Sequence, residues 1–414
     1  MKELEKGSQF IQAGNYSAAE ESMRALLEVA PENIEARYVL AAALMQQARY
    51  AEALAEITRI RECEPEHAGA AMVEIYVYQK QDKVATEIRL LETFIQRLRK
   101  WLPRDSERYG RFLSESWSLL GSAYTLLGKP EKAVEAFLHS SRLEPNQIQK
   151  VREYSNALFA ANYAAELPIQ QLDRLARGYQ ALLADCEPYE HFVEAKAKLR
   201  IGFISPDLRR HPVAFFLYPL LHNLSQAQYE VFAYAANAED AVSSLLRAQF
   251  TAWCNISGFS AQQAAAQVYA DEIDILVDLS GHTKNNCLPV LAFRPAPVQI
   301  CGIGYFNTTG LKAVDYFLSD VYCDPPGQPA TGFSERLLRL PHSHFCYMPL
   351  QAMPLPGALP CRKNGYVTFG CFNNFSKVTD EVLAVWQEIL CRVPTAHLLL
   401  KSRILGSDEG QAVV

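Results

Sequence analysis

Through the first 148 residues, apolar and small side chains return at helical spacing, and the whole pattern then repeats. Gly7, Gly14, Tyr16, Ala19 and Pro31 align with Ala41, Ala48, Tyr50, Ala53 and Pro65, each pair 34 residues apart. Trp117, Leu120, Gly121, Gly128, Ala133 and Pro145 carry the pattern again, since Gly14 to Gly128 and Pro31 to Pro145 both span 114 residues. Small residues let two helices cross closely, and a proline closes the second. Pro65 to Pro145 is 80 residues, 12 more than two periods, so the copy between is enlarged. Its helices are predicted at Ala68 to Lys80 and Lys83 to Trp101, with a break at Pro103 and Asp105.

From Asn146 to Ala197 the pattern stays helical, over Gln149 to Asn162 and Pro168 to Ala184, until Glu187-Pro188 ends it. With no Gly/Ser/Pro-rich run, this stretch reads as a fixed junction rather than a flexible linker. After Leu199 the period changes. Short β-branched and aromatic runs are predicted as strands at Arg200 to Ile204, Glu230 to Ala235, Ile273 to Leu279, Val298 to Ile303 and Tyr316 to Ser319. Helical stretches separate them, at Ala214 to Leu224, Asp240 to Ala252 and Ala261 to Asp271. Alternation of this kind makes a doubly wound parallel sheet. A second such pattern starts at Gly365, with strand Tyr366 to Phe372, turn Asn373 to Ser376, helix Thr379 to Arg392 and strand His397 to Lys401.

The expected organisation is therefore a tetratricopeptide repeat array over 1–148, a helical junction over 149–198, a Rossmann-like α/β sheet over 199–360 and the start of a second over 361–414. Strand, helix and strand alone bury too little apolar surface to stand as a domain. The last segment is expected either to pack on the first sheet as an appendage or to continue beyond Val414. A repeat array offers a concave face for a peptide or partner, or props up the domain that follows.

Composition narrows the chemistry. A net charge of −6 leaves no electrostatic footprint for nucleic acid or an anionic membrane. Ten cysteines without a Cys-x-x-Cys pair read as reduced thiols of a cytoplasmic protein. The charged start, Met-Lys-Glu-Leu-Glu-Lys, is no signal segment, and no apolar run is long enough to span a membrane.

Four constellations lie past strand ends, where open α/β sheets collect ligands. Asp207 with His211 supplies a carboxylate to orient a general base, although loop histidines beside arginine and proline are often merely solvated. Ser280-Gly281-His282-Thr283-Lys284 offers donors on a backbone a ligand can approach, or a plain cap turn. Gly302 to Gly310 is glycine-rich but lacks the dinucleotide fingerprint. Phe372-Asn373-Asn374-Phe375-Ser376-Lys377 puts amides and a lysine where a helix starts, suited to phosphate or to ordinary capping. No Asp-x-Asp occurs, and His342 and His344, without a Cys or carboxylate pattern beside them, read as structural; no metal is expected.

Together, the repeats, Gly202-Phe203-Ile204-Ser205-Pro206-Asp207-Leu208 with His211-Pro212, Ser280-Gly281-His282-Thr283, Arg294-Pro295-Ala296-Pro297-Val298-Gln299, Gly304-Tyr305 and Asp315-Tyr316 closely resemble the protein O-linked N-acetylglucosamine transferase family. The resemblance is to a bacterial-type member, and related fucosyl- and glucosyltransferases share the architecture. It implies a GT-B glycosyltransferase of two Rossmann domains, the second only begun here. It also implies an inverting, metal-independent transfer of N-acetylglucosamine from UDP-GlcNAc to Ser/Thr hydroxyls of proteins held by the repeats. By the same matching, Asp207 and His211 handle the acceptor proton and touch the donor, Asn374 and Lys377 hold the nucleotide sugar, Lys377 stabilises the leaving diphosphate, and His282 and Gly304 line the sugar side. Further nucleotide-binding motifs are expected beyond Val414, leaving this chain alone impaired. The contrasting reading is a peptide-binding scaffold whose sheet does no chemistry.

Overall fold

A computed structural model describes residues 2–103, 105–165, 167–192, 196–327, 332–350 and 352–412. The chain folds as two compact units, Met1–Asn146 with Leu359–Val414 and, separately, Gln147–Ala358.

The first unit opens with four helix pairs: α1 (Lys2–Gln12) with α2 (Tyr16–Val29), α3 (Ile34–Gln46) with α4 (Tyr50–Cys63), α5 (Ala68–Lys80) with α6 (Val84–Trp101), and α7 (Ser106–Leu126) with α8 (Pro130–Leu143). The turn inside each pair passes through a left-handed residue: Gly14 (φ 74°), Ala48 (60°), Asp82 (55°) and Gly128 (70°). The first three are 34 apart and the last 46, so the 12 extra residues are taken up in the long α6 and α7, of 18 and 21 residues. The repeat's small residues sit where helices touch. A Cβ on Gly7 would meet Met23 Cε at 2.5 Å, and one on Gly121 would meet the Phe137 ring at 2.8 Å. Asn33 and His67, one period apart, cap α3 and α5 by accepting the Ala36 and Ala70 N–H groups.

Within the same unit follow α15 (Pro360–Asn364), strand β8 (Thr368–Cys371), a 3₁₀ turn at Phe375–Lys377, α16 (Asp380–Arg392), strand β9 (His397–Leu400) and α17 (Asp408–Gln411). The strands pair in parallel as a separate two-stranded sheet, so the segment is not an appendage of the first sheet. It packs on the repeats instead. Phe375 is buried beside Gly128, Ser376 Oγ donates to the Thr125 carbonyl, Thr86 Oγ1 donates to Glu409 at 2.7 Å, and Arg403 pairs with Asp82 at 2.7 Å.

The second unit begins with α9 (Gln147–Ala161) and α10 (Ile169–Leu182). Its sheet is wholly parallel, in the order β3-β2-β1-β4-β5-β6-β7. The strands are β1 (Leu199–Ser205), β2 (Tyr229–Ala235), β3 (Ala252–Asn255), β4 (Ile275–Asp278), β5 (Val298–Cys301), β6 (Tyr316–Asp320) and β7 (Arg336–Leu340). Between them run α11 (Pro212–Asn223), α12 (Ala241–Arg247), α13 (Ala261–Ala270) and α14 (Leu288–Leu291). The sequence reading missed both edge strands. Ala252–Asn255 has only four residues, following a helix that ends early, and Arg336–Leu340 reads Arg-Leu-Leu-Arg-Leu, with arginines breaking the apolar run on a strand whose outer edge is unpaired. Central strands read as continuous apolar runs because both faces are covered, one by a core of Phe203, Leu217, Leu221, Val231, Val277 and Leu279. Strand order reverses between β1 and β4, so the loops leaving these neighbours flank the switch point where such sheets bind ligands. Among the described residues, no helix is long and apolar enough to cross a membrane.

Candidate active site

The turn leaving β1 brings Asp207 and His211 together. Ser205 Oγ accepts the Asp207 N–H at 3.0 Å, Ser243 Oγ donates to the Leu208 carbonyl at 2.7 Å, and the Arg210 N–H donates to Asp240 at 2.8 Å, tying the turn to the start of α12. Pro212 then opens α11 with His211 as its cap. The imidazole Nδ1 accepts the Val213 N–H at 3.4 Å and lies 3.7 Å from Asp207 Oδ2. Both contacts are long, so the ring can serve either. With Nδ1 bare it caps the helix; with Nδ1 protonated it faces the carboxylate and leaves Nε2 as a proton acceptor. Asp207 is 7% exposed, and burial pushes its carboxyl above the ordinary range, against the lowering charges of His211 and Arg209. His211 is 39% exposed and open to a ligand.

The loop leaving β4 is built on a buried carboxylate. Asp278 accepts from Ser280 Oγ (2.7 Å), the Gly281 N–H (2.6 Å) and Cys301 Sγ (3.3 Å). Gly281, at φ 49°, leaves its Cβ position to the Tyr305 ring. Gly304 is closer still, for a Cβ there would sit 2.0 Å from the Leu279 carbonyl oxygen and 3.0 Å from Val213 at the start of α11. Gly304 thus lets the loop leaving β5 lie directly against the loop leaving β4, beside the His211 turn.

His282 does not face a ligand space. It is 1% exposed, with Nε2 donating to the Thr309 carbonyl at 3.0 Å and Nδ1 accepting from Ser155 Oγ at 2.7 Å. Those two partners set the tautomer. Tyr179 and Tyr305 stand edge-on to the ring, at 4.6 and 5.5 Å between centroids. Asn286 donates to Ser155 Oγ at 2.9 Å and Asn162 to the Tyr305 hydroxyl at 3.0 Å, so α9 is locked to both loops. Glu335 closes the set, accepting from Thr308 Oγ1 and the Thr309 N–H at 2.7 Å each. Glu335 was missed from the sequence, and Ser155, Tyr305 and Thr309 were given no role there. Each is a common residue type, and nothing local marks a partner 26 to 143 positions away.

Burial lowers the His282 pKa to about 4, opposed by the Thr309 carbonyl. Because the folded-state value lies below the ordinary 6.5, the unfolded chain takes up this proton first as pH falls. The contribution is complete above pH 6.5 and declines down to about pH 4, by roughly 3 kcal/mol over that window. Urea unfolding at pH 7 and pH 5 checks this. A His282→Gln variant is expected to show a shallower pH slope, and an unchanged slope would place the acid sensitivity elsewhere.

Asn374 and Lys377 belong to the other unit. Asn374 Oδ1 caps the 3₁₀ turn, accepting from the N–H and Oγ of Ser376 at 3.3 Å each. Lys377 is exposed, and no ion pair involves it among the described residues.

Helix-pair repeats and a doubly wound parallel sheet with an imidazole–carboxylate pair at its switch point define a repeat-bearing α/β protein. Residues 174–353 match the model of glycosyl transferase family 41, and residues 10–74 and 114–147 match tetratricopeptide models. The chain is 37% identical over 264 residues to a probable UDP-N-acetylglucosamine–peptide N-acetylglucosaminyltransferase, SPINDLY, of Petunia hybrida, covering 61% of this chain and 28% of that protein. It is 32% identical over 213 residues to the probable enzyme of the same class called SEC of Arabidopsis thaliana, covering 49% and 22%. A lysine-to-methionine variant of the Thermobaculum terrenum O-GlcNAc transferase superposes with a TM-score of 0.67 at 27% identity, covering 99% of this chain and 70% of that one. Residues 174–353, the α/β part of the chain, are thus similar to glycosyl transferase family 41. It spans under a third of the length of the curated relatives it matches.

Proposed function

We propose that this chain carries the acceptor side of a transferase that moves N-acetylglucosamine from UDP-GlcNAc to Ser/Thr hydroxyls of proteins, the repeats holding the acceptor. The observation that carries the reading is the Asp207–His211 pair at the switch point of a sheet similar to family 41. In the proposed step the acceptor hydroxyl oxygen bonds to the anomeric carbon with inversion. The bond from that carbon to the UDP oxygen breaks, and the hydroxyl proton passes to His211 Nε2. Asp207 steadies the imidazolium through Nδ1–H. Lys377 meets the charge growing on the diphosphate, an interaction stronger in the transition state than before it. His282 and Gly304 act as positioning residues that set the loops beside His211, and Asn374 orients the turn that carries Lys377. We propose that the transfer uses no bound metal, so added magnesium or manganese leaves turnover unchanged.

The test is transfer of labelled sugar from UDP-GlcNAc to protein acceptors. Lys377→Ala is expected to lower turnover about 100-fold, with a smaller effect on acceptor KM. Transfer that survives this change intact would remove Lys377 from the reaction.

A further inference from the structure

A second group of chemically capable side chains lies at the carboxyl edge of the same sheet, away from β1. Asp320 is the last residue of β6. Its Oδ1 accepts the N–H groups of Tyr322 (2.9 Å) and Cys323 (2.8 Å). Its Oδ2 accepts the His344 N–H (2.9 Å) and His344 Nδ1–H (2.6 Å). Both side chains are buried, at 1% and 3% exposure. Cys323, in the turn just after β6, is exposed and keeps one side of the group open to solvent. A His344 ring nitrogen, the Cys323 Sγ and an Asp320 oxygen all lie within 4.8 Å of one another. His344, read from the sequence as structural for want of a nearby carboxylate or cysteine, thus acquires both through the fold.

We propose that Asp320, Cys323 and His344 form a binding site for a thiophilic divalent cation of the zinc class. One sulfur, one imidazole nitrogen and one carboxylate oxygen suit zinc, whereas magnesium and calcium demand an all-oxygen shell. Three protein ligands leave the fourth tetrahedral position on the open, cysteine side. The 2.6 Å between Asp320 and His344 is a hydrogen bond, shorter than the roughly 3.3 Å between two ligands on one tetrahedral zinc. Loading therefore replaces the shared proton with the ion and widens the gap by less than about 1 Å. The three N–H groups on Asp320 fix the carboxylate in either state, as outer partners of metal ligands do. The site stands independently of the transferase reading.

Cobalt(II) titration of the whole chain under reducing conditions tests this. One equivalent is expected to bind, with a thiolate-to-cobalt charge-transfer band and the visible bands of tetrahedral cobalt, both removed by added zinc. Cys323→Ser, at an exposed position, should abolish the charge-transfer band without changing far-ultraviolet circular dichroism. His344→Phe should weaken cobalt binding at least about tenfold. Absence of the band in the unmodified chain would reduce the group to an Asp–His clip and overturn the proposal. A band that persists in Cys323→Ser would do the same, by moving the ion to another thiol.

Discussion

Gly304→Ala is expected to unfold the second unit or leave it insoluble, although it adds a single methyl group. That carbon would sit 2.0 Å from the Leu279 carbonyl oxygen and 3.1 Å from the Leu279 carbonyl carbon. The neighbour is backbone at the end of a central strand, so it has no rotamer to change. Relief requires parting the loops after β4 and β5, and with them the Asp278, His282 and Tyr305 contacts. A loss of about 4 kcal/mol or more is expected, a large share of the roughly 5–15 kcal/mol that folded domains hold in reserve. Gly258 makes the control, because its Cβ position has nothing within 4 Å and its φ is not positive. Gly258→Ala should unfold within about 0.5 kcal/mol of the parent. Circular dichroism on heating or in urea checks both, and similar curves for the two variants would defeat the steric argument.

His211 has two duties, and substitutions separate them. His211→Ala removes the imidazole and the helix cap; His211→Asn removes the imidazole but keeps a good capping side chain. Alanine should therefore cost about 1 kcal/mol of stability and asparagine little. If the ring accepts the acceptor proton, both variants lose sugar transfer by about 1,000-fold, despite their different stabilities. Turnover that follows stability, with asparagine near wild type, would leave His211 a cap only. Asp207→Asn refines the outcome, since the amide still faces Nδ1 but no longer balances an imidazolium. Turnover is expected to fall at least about tenfold with little loss of stability, and an unchanged rate would remove Asp207 from the proton transfer.

Much of the fold was legible because it repeats. The 34-residue spacing located the helix pairs, and the left-handed residues at 14, 48, 82 and 128 recur at the same place in each copy, including the enlarged one. The central strands were legible because burial on both faces demands unbroken apolar runs. The edge strands Ala252–Asn255 and Arg336–Leu340 were not, since a half-covered strand has no such demand. Asp207 and His211 could be read as a pair because they lie only four positions apart, in one turn.

The repeat register, the alternation that makes the sheet, the Asp207–His211 turn and the resemblance to the protein O-linked N-acetylglucosamine transferase family are all readable from the chain alone. Those are short-range or periodic features, in which propensity and spacing carry the information. Tertiary structure decided what contact across long chain separations decides. It buried His282 between Ser155 and Thr309, made Gly304 a point of backbone contact, and set the 359–414 segment on the repeats. It also brought Asp320 and Cys323 to His344. In each case the chemistry of a residue depends on which partner replaces water around it, and that partner is chosen by the packing of the sheet and helices.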